Sequence, residues 1–187
     1  MDVFNVIKNR RSVRSFSDKG VGDEKIGKIL EAASLAPSSG NIQNWQFIVV
    51  KDANKKEVIA EACRQNFLLE APVIIVICDD KEKIELLFGE KGKEFYAIQN
   101  CALATENLLL AATGLDLATC FTAVFDEEAI KRELEVPENV SIDGVIALGY
   151  SKEKERGKRL PLKLKTYFEK FGNFIKPSIF PLKKFKK

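Results

Sequence analysis

Histidine is absent from all 187 residues of the chain. That single absence excludes Ser-His-Asp and Cys-His nucleophilic triads, histidine-ligated zinc and a histidine general base. Any chemistry must run on other groups or on a cofactor. Cysteine is scarce and scattered: Cys63, Cys78, Cys101 and Cys120 stand 15, 23 and 19 residues apart, with no CxxC pair. Each lies in or beside an apolar run, which argues for reduced buried thiols and against a metal cluster. No apolar run approaches the ~20 residues of a membrane span, and "MDVFNVIKNRR" is too polar for a secretory signal. No membrane association and a cytoplasmic setting are therefore expected. A large excess of one charge is also missing. Thirty Lys and Arg against 27 Asp and Glu leave a net +3, which makes no general case for nucleic-acid binding.

What is present is an apolar fraction of 45%, enough for one domain with a substantial core. Residues 2–9 read as a short helix capped by Asp2, with Val3, Phe4, Val6 and Ile7 on an apolar side. Ile26, Ile29, Leu30 and Ala33 mark a second helix over 23–35, stopped by Pro37. "WQFIVV" at 45–50 is a strand, and Asp52 caps a helix over 53–63. The β-branched run "PVIIVIC" at 72–78 predicts a strand covered on both faces. The stretch 80–94 is charged and expected to be exposed. Residues 95–113 form the longest helix, apolar nearly all round, so burial at the domain centre or against another subunit is expected. A strand at 117–122, a helix from Asp126 to Leu134 and a strand at 142–150 complete the pattern. Beyond Tyr150 the chain is basic and aromatic, and reads as an arm that packs on something or as a frayed basic terminus.

Two polar clusters stand out. In "RRSVRSF" (10–16), an extended backbone puts Arg10, Ser12 and Arg14 on one side. Two guanidinium forks around a hydroxyl suit a phosphate dianion. A solvated basic turn has the same composition, so the segment by itself leaves both readings open. "PSSGNIQNWQF" gathers Ser38, Ser39, Asn41 and Gln43 in a loop beside Trp45, offering uncharged donor and acceptor pairs for a heterocycle edge or a polyol. Alone, it also reads as an ordinary capped turn. "GVGDEKIG" and "LFGEKGKE" do not meet the spacing of a dinucleotide or P-loop motif.

Taken in order, "RRSVRSF", "APSSGNIQNWQF", "EAPVIIVIC", "NLLLAATGLDLATCF" and "VIALGYSKEKERGKRLPL" resemble the FMN-dependent nitroreductase family over residues 1 to about 165. The resemblance implies an α+β fold, with a central, mostly antiparallel sheet flanked by helices, in an intertwined homodimer. It implies two FMN sites at the interface and NAD(P)H as electron donor. Residues 1–165 would be the flavin domain, and 166–187 an arm on the domain or the partner subunit. Carried over residue by residue, Arg10 and Ser12 would hold the FMN phosphate with help from Arg159, and the Arg11 backbone would lie in the same pocket. Arg14 would approach the ribityl chain and the N1/O2 ring edge. Pro37, Ser38, Ser39 and Asn41 would come from the partner, and Gln65 would read the pyrimidine edge. Backbone amides near Thr122 and Ala123 would face flavin N5, with Gly149 near the phosphate end. The sequence departs from the family where Asn44 replaces a usual proline, and at Asp116, Ala118, Phe121 and Ala123.

The resemblance makes the missing histidine intelligible, because flavin carries the chemistry and the protein supplies position and electrostatics. No side chain is then required as a catalytic acid or base. The implied activity is hydride transfer from NAD(P)H through flavin to a small-molecule acceptor such as a nitroaromatic or quinone. Alternatives are a same-fold enzyme with another reductive or flavin-modifying task, or a flavin carrier with little turnover.

Overall fold

Val73–Asp80 is the strand around which the rest is built, and its residues up to Asp79 are all buried. In the computed structural model, which describes residues 2–153 and 159–173, it lies inside a four-stranded sheet. The strands are β1 (Trp45–Val50), β2 (Val73–Asp80), β3 (Ala118–Thr122) and β4 (Val140–Gly149), in the order β1-β2-β4-β3. Every neighbouring pair is antiparallel. Alternation along β2 assigns its residues to two layers. Val73, Ile75 and Ile77 pack with Ile146 and Leu148 against helices α2 (Asp23–Ser34) and α6 (Ala97–Gly114). Ile74, Val76 and Cys78 pack with Val145 and Ala147 against α3 (Ala53–Cys63) and α7 (Glu127–Leu134). An α+β fold with a central antiparallel sheet flanked by helices is thus observed.

Local signals explain where the helices start. Asp52 accepts a hydrogen bond from the Lys55 amide at 3.0 Å, and Asp126 from the Ala129 amide at 3.1 Å, so both expected caps are in place. Asp2 caps α1 (Val3–Asn9) through the Phe4 amide at 3.4 Å. The apolar side expected for α1 is exposed within this chain, with Phe4 at 69% and Ile7 at 52%. The charged stretch after β2 is largely exposed, as expected, although Ile84 and Gly92 are buried. It forms α5 (Lys81–Lys91), broken by a left-handed Gly89, and then a π turn over Gly92–Tyr96. Between α3 and β2, Phe67–Glu70 makes the single-turn helix α4.

A break in sheet register places one acidic side chain. Ile77 pairs with Gly144 but Cys78 pairs with Ile142, so Asp143 is the extra residue of a β-bulge. Such a bulge re-aims the side chains on either side of it. Ile142 joins the layer under α7, whereas Asp143 approaches Asp79 and Cys101 on the α6 side.

The chain separates into two compact units, Met1–Glu155 and Arg156–Lys187. Described residues of the second unit include a 3-10 turn at Leu162–Leu164 and a Tyr167–Phe171 ring pair with centroids 4.5 Å apart. Phe174, Phe180 and Phe185 of the expected aromatic arm lie outside the described residues.

Candidate functional site

Residues 10–16 leave α1 in extended form and run beside the free edge of β3. Ser12 bridges Thr119 in parallel sense, and the Val13 amide donates to the Thr119 carbonyl at 2.9 Å. Phe16 bridges Ser151 in antiparallel sense. Val13 and Phe16 point into the core, while Ser12 and Arg14 are exposed. From Ser12 to Arg14 this is the period-two alternation of an extended segment, but Phe16, three residues after Val13, falls out of that period and is buried as well. Burying two large side chains fixes which face presents the hydroxyl and the guanidinium.

The three arginines have different surroundings. Arg10 is half-buried at the end of α1, with its Nε 3.7 Å from Glu106 on α6. Arg11 turns away, donating to Ser151 Oγ at 3.2 Å and to the Glu153 carbonyl. The Arg14 guanidinium carbon lies 5.9 Å from the Phe67 ring centroid, and its backbone amide donates to Glu153 Oε1 at 2.8 Å. The Phe67 contact brings the turn that carries Gln65, itself half-buried, beside the arginine segment. At the end of β3, Thr122 is buried and Ala123 is exposed. Gly149 is buried against the same segment. A Cβ there would lie 2.6 Å from Pro72 Cδ and 3.0 Å from Phe16 Cδ1. Arg10, Ser12, Arg14, Gln65 and Gly149 are therefore gathered around one segment. Arg159 is exposed in the second unit.

The Pro37–Asn41 loop forms a separate feature. Ser39–Asn41 is a 3-10 turn, and Gly40, Asn41 and Gln43 all have left-handed φ, at 61°, 56° and 55°. For the two non-glycine residues this costs about 1–2 kcal/mol each, so neighbouring contacts must hold the turn. Inside the loop, the Gln43 amide donates to Ser38 Oγ at 3.0 Å and Gln43 Nε2 to the Asn41 carbonyl at 3.0 Å. A tie to the body of the domain runs from the Ser39 amide to Asn100 Oδ1, at 3.0 Å. Pro37, Ser38 and Ser39 line one wall of an open cleft of about 610 Å³, and Gln99, Asn100 and Leu103 of α6 line the other.

Beneath this loop lies a buried polar cluster that the sequence did not disclose: Asn44, Asp79, Asn100, Cys101 and Asp143. Asn44 Nδ2 donates to Asp79 Oδ1 at 2.5 Å and lies 3.7 Å from Cys101 Sγ. Burial pushes the Asp79 carboxyl up to about 6, against the opposing Asn44 hydrogen bond. Burial also raises Asp143, and raises the Cys101 thiol, with Asp143 adding to the latter. The Oδ2 atoms of Asp79 and Asp143 are buried without a hydrogen-bond partner among the described residues. One ligand atom from each of Asp79, Cys101 and Asp143 falls within 4.8 Å of the others. The carboxamide edge that Asn44 turns toward Asp79 and Cys101 is a donor edge. All four cysteines are free and buried, as expected from their spacing.

Comparison with known proteins adds the following. The model of the Nitroreductase family matches residues 7–68 and 59–150. A protein of Archaeoglobus fulgidus, provisionally named NADH dehydrogenase/NAD(P)H nitroreductase, is 37% identical over 159 residues, covering 82% of this chain and 88% of its own. A Methanothermobacter thermautotrophicus protein with the same provisional name is 39% identical over 158 residues, covering 82% and 79%. The solved structure of an FMN-dependent nitroreductase from Clostridium difficile superposes with a TM-score of 0.75 at 33% identity, over 90% of this chain and 99% of that one. Among the described residues, no helix is long and apolar enough to cross a membrane.

Proposed function

The chain belongs to the nitroreductase family and is an NAD(P)H-dependent oxidoreductase, and from that premise we propose that it binds FMN along the Arg10–Arg14 segment and reduces an electron-poor acceptor such as a nitroaromatic or quinone. The observation that carries this reading is the anchoring of Ser12 and Arg14 on the exposed side of a segment whose other side is locked into the core. The donor set fits the cofactor. A half-buried guanidinium and a neighbouring hydroxyl match a phosphate dianion, and a second guanidinium lies two positions along.

Arg10 and Ser12 hold the phosphate in this reading, with the Arg11 backbone and Gly149 beside them. With FMN bound, Arg14 would supply a fixed positive charge to the N1/O2 edge and so favour the reduced flavin. The Thr122 and Ala123 amides face the N5 position, and Gln65 meets the pyrimidine edge. Pro37, Ser38, Ser39 and Asn41 reach the site from the partner of a homodimer. Bound FMN supplies the hydride transfer itself, accepting from NAD(P)H and donating to the acceptor. No proton is assigned to a side chain, and water delivers it.

The test is spectroscopic and then kinetic. The purified chain should be yellow or should quench FMN fluorescence, and should oxidise NADH or NADPH anaerobically when a nitroaromatic or quinone is added. Failure to quench at roughly micromolar FMN, the range expected for a specific cofactor, would remove the flavin assignment. Flavin binding without acceptor-dependent oxidation would make the chain a carrier.

A further inference from the structure

The polar cluster on the α6 side of the sheet has a fixed direction. The Ser39 backbone N–H only donates, so the Asn100 atom that meets it at 3.0 Å is the carbonyl oxygen Oδ1. Asn100 must then turn its nitrogen toward Asn44, and Nδ2 donates to Asn44 Oδ1 at 2.7 Å. Asn44 is left presenting a donor edge to Asp79, whose Oδ1 accepts at 2.5 Å. Flipping either carboxamide would set two donors or two acceptors face to face. The Ser39 amide thus orients Asn100, and Asn44 is held between Asn100 and two acceptors, Asp79 Oδ1 and the Ala97 carbonyl at 3.3 Å.

We propose that Asn44, Asn100 and Asp79 are positioning residues, a hydrogen-bonded relay that holds Ser39 and with it the Pro37–Asn41 turn in the conformation that meets the cofactor. This rests on the reading of that turn as part of the flavin site. Asn44 and Asn100 are each 1% exposed and Asp79 is 0% exposed, so water does not replace a partner that is lost. The turn holds left-handed residues at 40, 41 and 43, and its internal hydrogen bonds among Ser38, Asn41 and Gln43 do not fix it to the domain. Asn100 does so, and what orients Asn100 lies deeper, at Asn44 and Asp79. Asn44 also gives its own carbonyl to the Asp80 amide at 2.9 Å, which binds this end of β1 to the end of β2. The relay therefore joins the loop to the sheet as well as to α6.

The test uses the full chain without flavin and reads the exchange rate of the Ser39 amide, with α7 amides as an internal reference for global opening. In Asn44→Leu, Ser39 should exchange about tenfold to a hundredfold faster while α7 is unchanged, although Asn44 does not touch Ser39. FMN and riboflavin should weaken together in the same variant, because the defect lies in the turn and not at the phosphate. Unchanged Ser39 exchange overturns the relay, whatever happens to flavin affinity. Faster exchange with unchanged flavin affinity upholds the hold on Ser39 and removes the turn from the flavin site. Should Asn44→Leu not fold, Asp79→Asn and Asp79→Leu decide the matter. The first retains an acceptor oxygen and should keep Ser39 slow, whereas the second should release it. Equal rates in that pair overturn the proposal.

Discussion

The ring of Phe121 fills the space in which a side chain at Gly144 would begin: a Cβ at 144 would lie 2.2 Å from Phe121 Cε2. Gly144 pairs with Ile77 at the edge of the bulge, and Phe121 stands one residue before the end of β3, where Thr122 and Ala123 follow. Gly144→Ala must displace the ring, and overpacking of this kind costs about 1–3 kcal/mol. Phe121 is 39% exposed, so removing its ring vacates the space without leaving a closed cavity. The double variant Gly144→Ala/Phe121→Ala should therefore be more stable than the sum of the two single changes predicts. Urea unfolding of all four proteins measures the coupling. Strict additivity would mean that the ring moves aside freely.

The buried carboxyl of Asp79 gives the protein a pH dependence of defined sign. Burial raises its value to about 6 from an ordinary 3.8. The folded state therefore holds the proton more tightly than the unfolded state. The resulting stability is fully present below about pH 4 and lost as pH rises through about 6, a change of about 3 kcal/mol. Asp79→Asn cannot ionise and still offers Asn44 an acceptor. Its stability relative to the parent should grow between about pH 4 and 6 and level off above. Parallel stability curves for the two proteins would show that Asp79 does not titrate in this window.

Much of this architecture was legible in the chain, and the exceptions share a cause. Asp52 and Asp126 cap the helices they precede, and "PVIIVIC" is buried on both faces, because those signals are local. The strand nonetheless runs two residues further, through Asp79 and Asp80, the second of which opens the stretch expected to be exposed. Asp79 is tolerated inside because Asn44, 35 positions earlier, meets it, and Asn100 meets Asn44 across 56 positions. No window of sequence contains that arrangement. The alternation in "RRSVRSF" did show that Ser12 and Arg14 face outward, but not that Phe16, of the same parity, is buried. It did not show that Glu106 would stand beside Arg10 or that Arg11 would turn back onto Ser151 and Glu153. The helix after the π turn was expected to be buried at the domain centre or against another subunit; within this chain it buries one face and leaves Ile98 and Leu103 outward.

In the proposed site, phosphate recognition would separate Arg10 from Arg11 and Arg14. A charged hydrogen bond contributes about 1.5–3 kcal/mol, so Arg10→Ala should weaken FMN about tenfold to a hundredfold and riboflavin far less. Glu106 lies 3.7 Å from Arg10 and competes for the same guanidinium. Glu106→Gln should therefore tighten FMN slightly, by no more than about fivefold, since exposed pairs contribute under about 1 kcal/mol. Fluorescence titration with both flavins distinguishes the cases. Equal losses of FMN and riboflavin in Arg10→Ala would place Arg10 away from the phosphate.

Use of one flavin surface in turn by donor and acceptor predicts parallel initial-rate lines against NAD(P)H at several acceptor concentrations, the pattern of substituted-enzyme kinetics. Ala123, just after β3, is exposed. Intersecting lines would mean that donor and acceptor bind together.

A division of the proposed site between subunits is compatible with the geometry of a single chain. Ser39 is tied to Asn100, which is buried, whereas Arg10 is paired with Glu106, which is exposed. Six residues of helix separate these two anchors, about 9 Å of rise and about 240° of turn, so the two clusters attach to different sides of α6. The exposed apolar residues of α1 and α6, Phe4, Ile7, Ile98 and Leu103, offer surface for a second copy that would bring the clusters together. Arg10→Glu should empty both sites of a homodimer by repelling phosphate, and Asn41→Leu should empty or weaken both by removing a polar contact. In a mixed dimer of the two variants, both defects fall on one site and the other is whole. Differently tagged subunits, co-expressed and purified as the heterodimer, should then carry about one flavin per dimer and about half the parental activity. A heterodimer as empty as the two variant homodimers, with association verified by sedimentation, would mean that Arg10 and Asn41 serve the flavin from the same subunit.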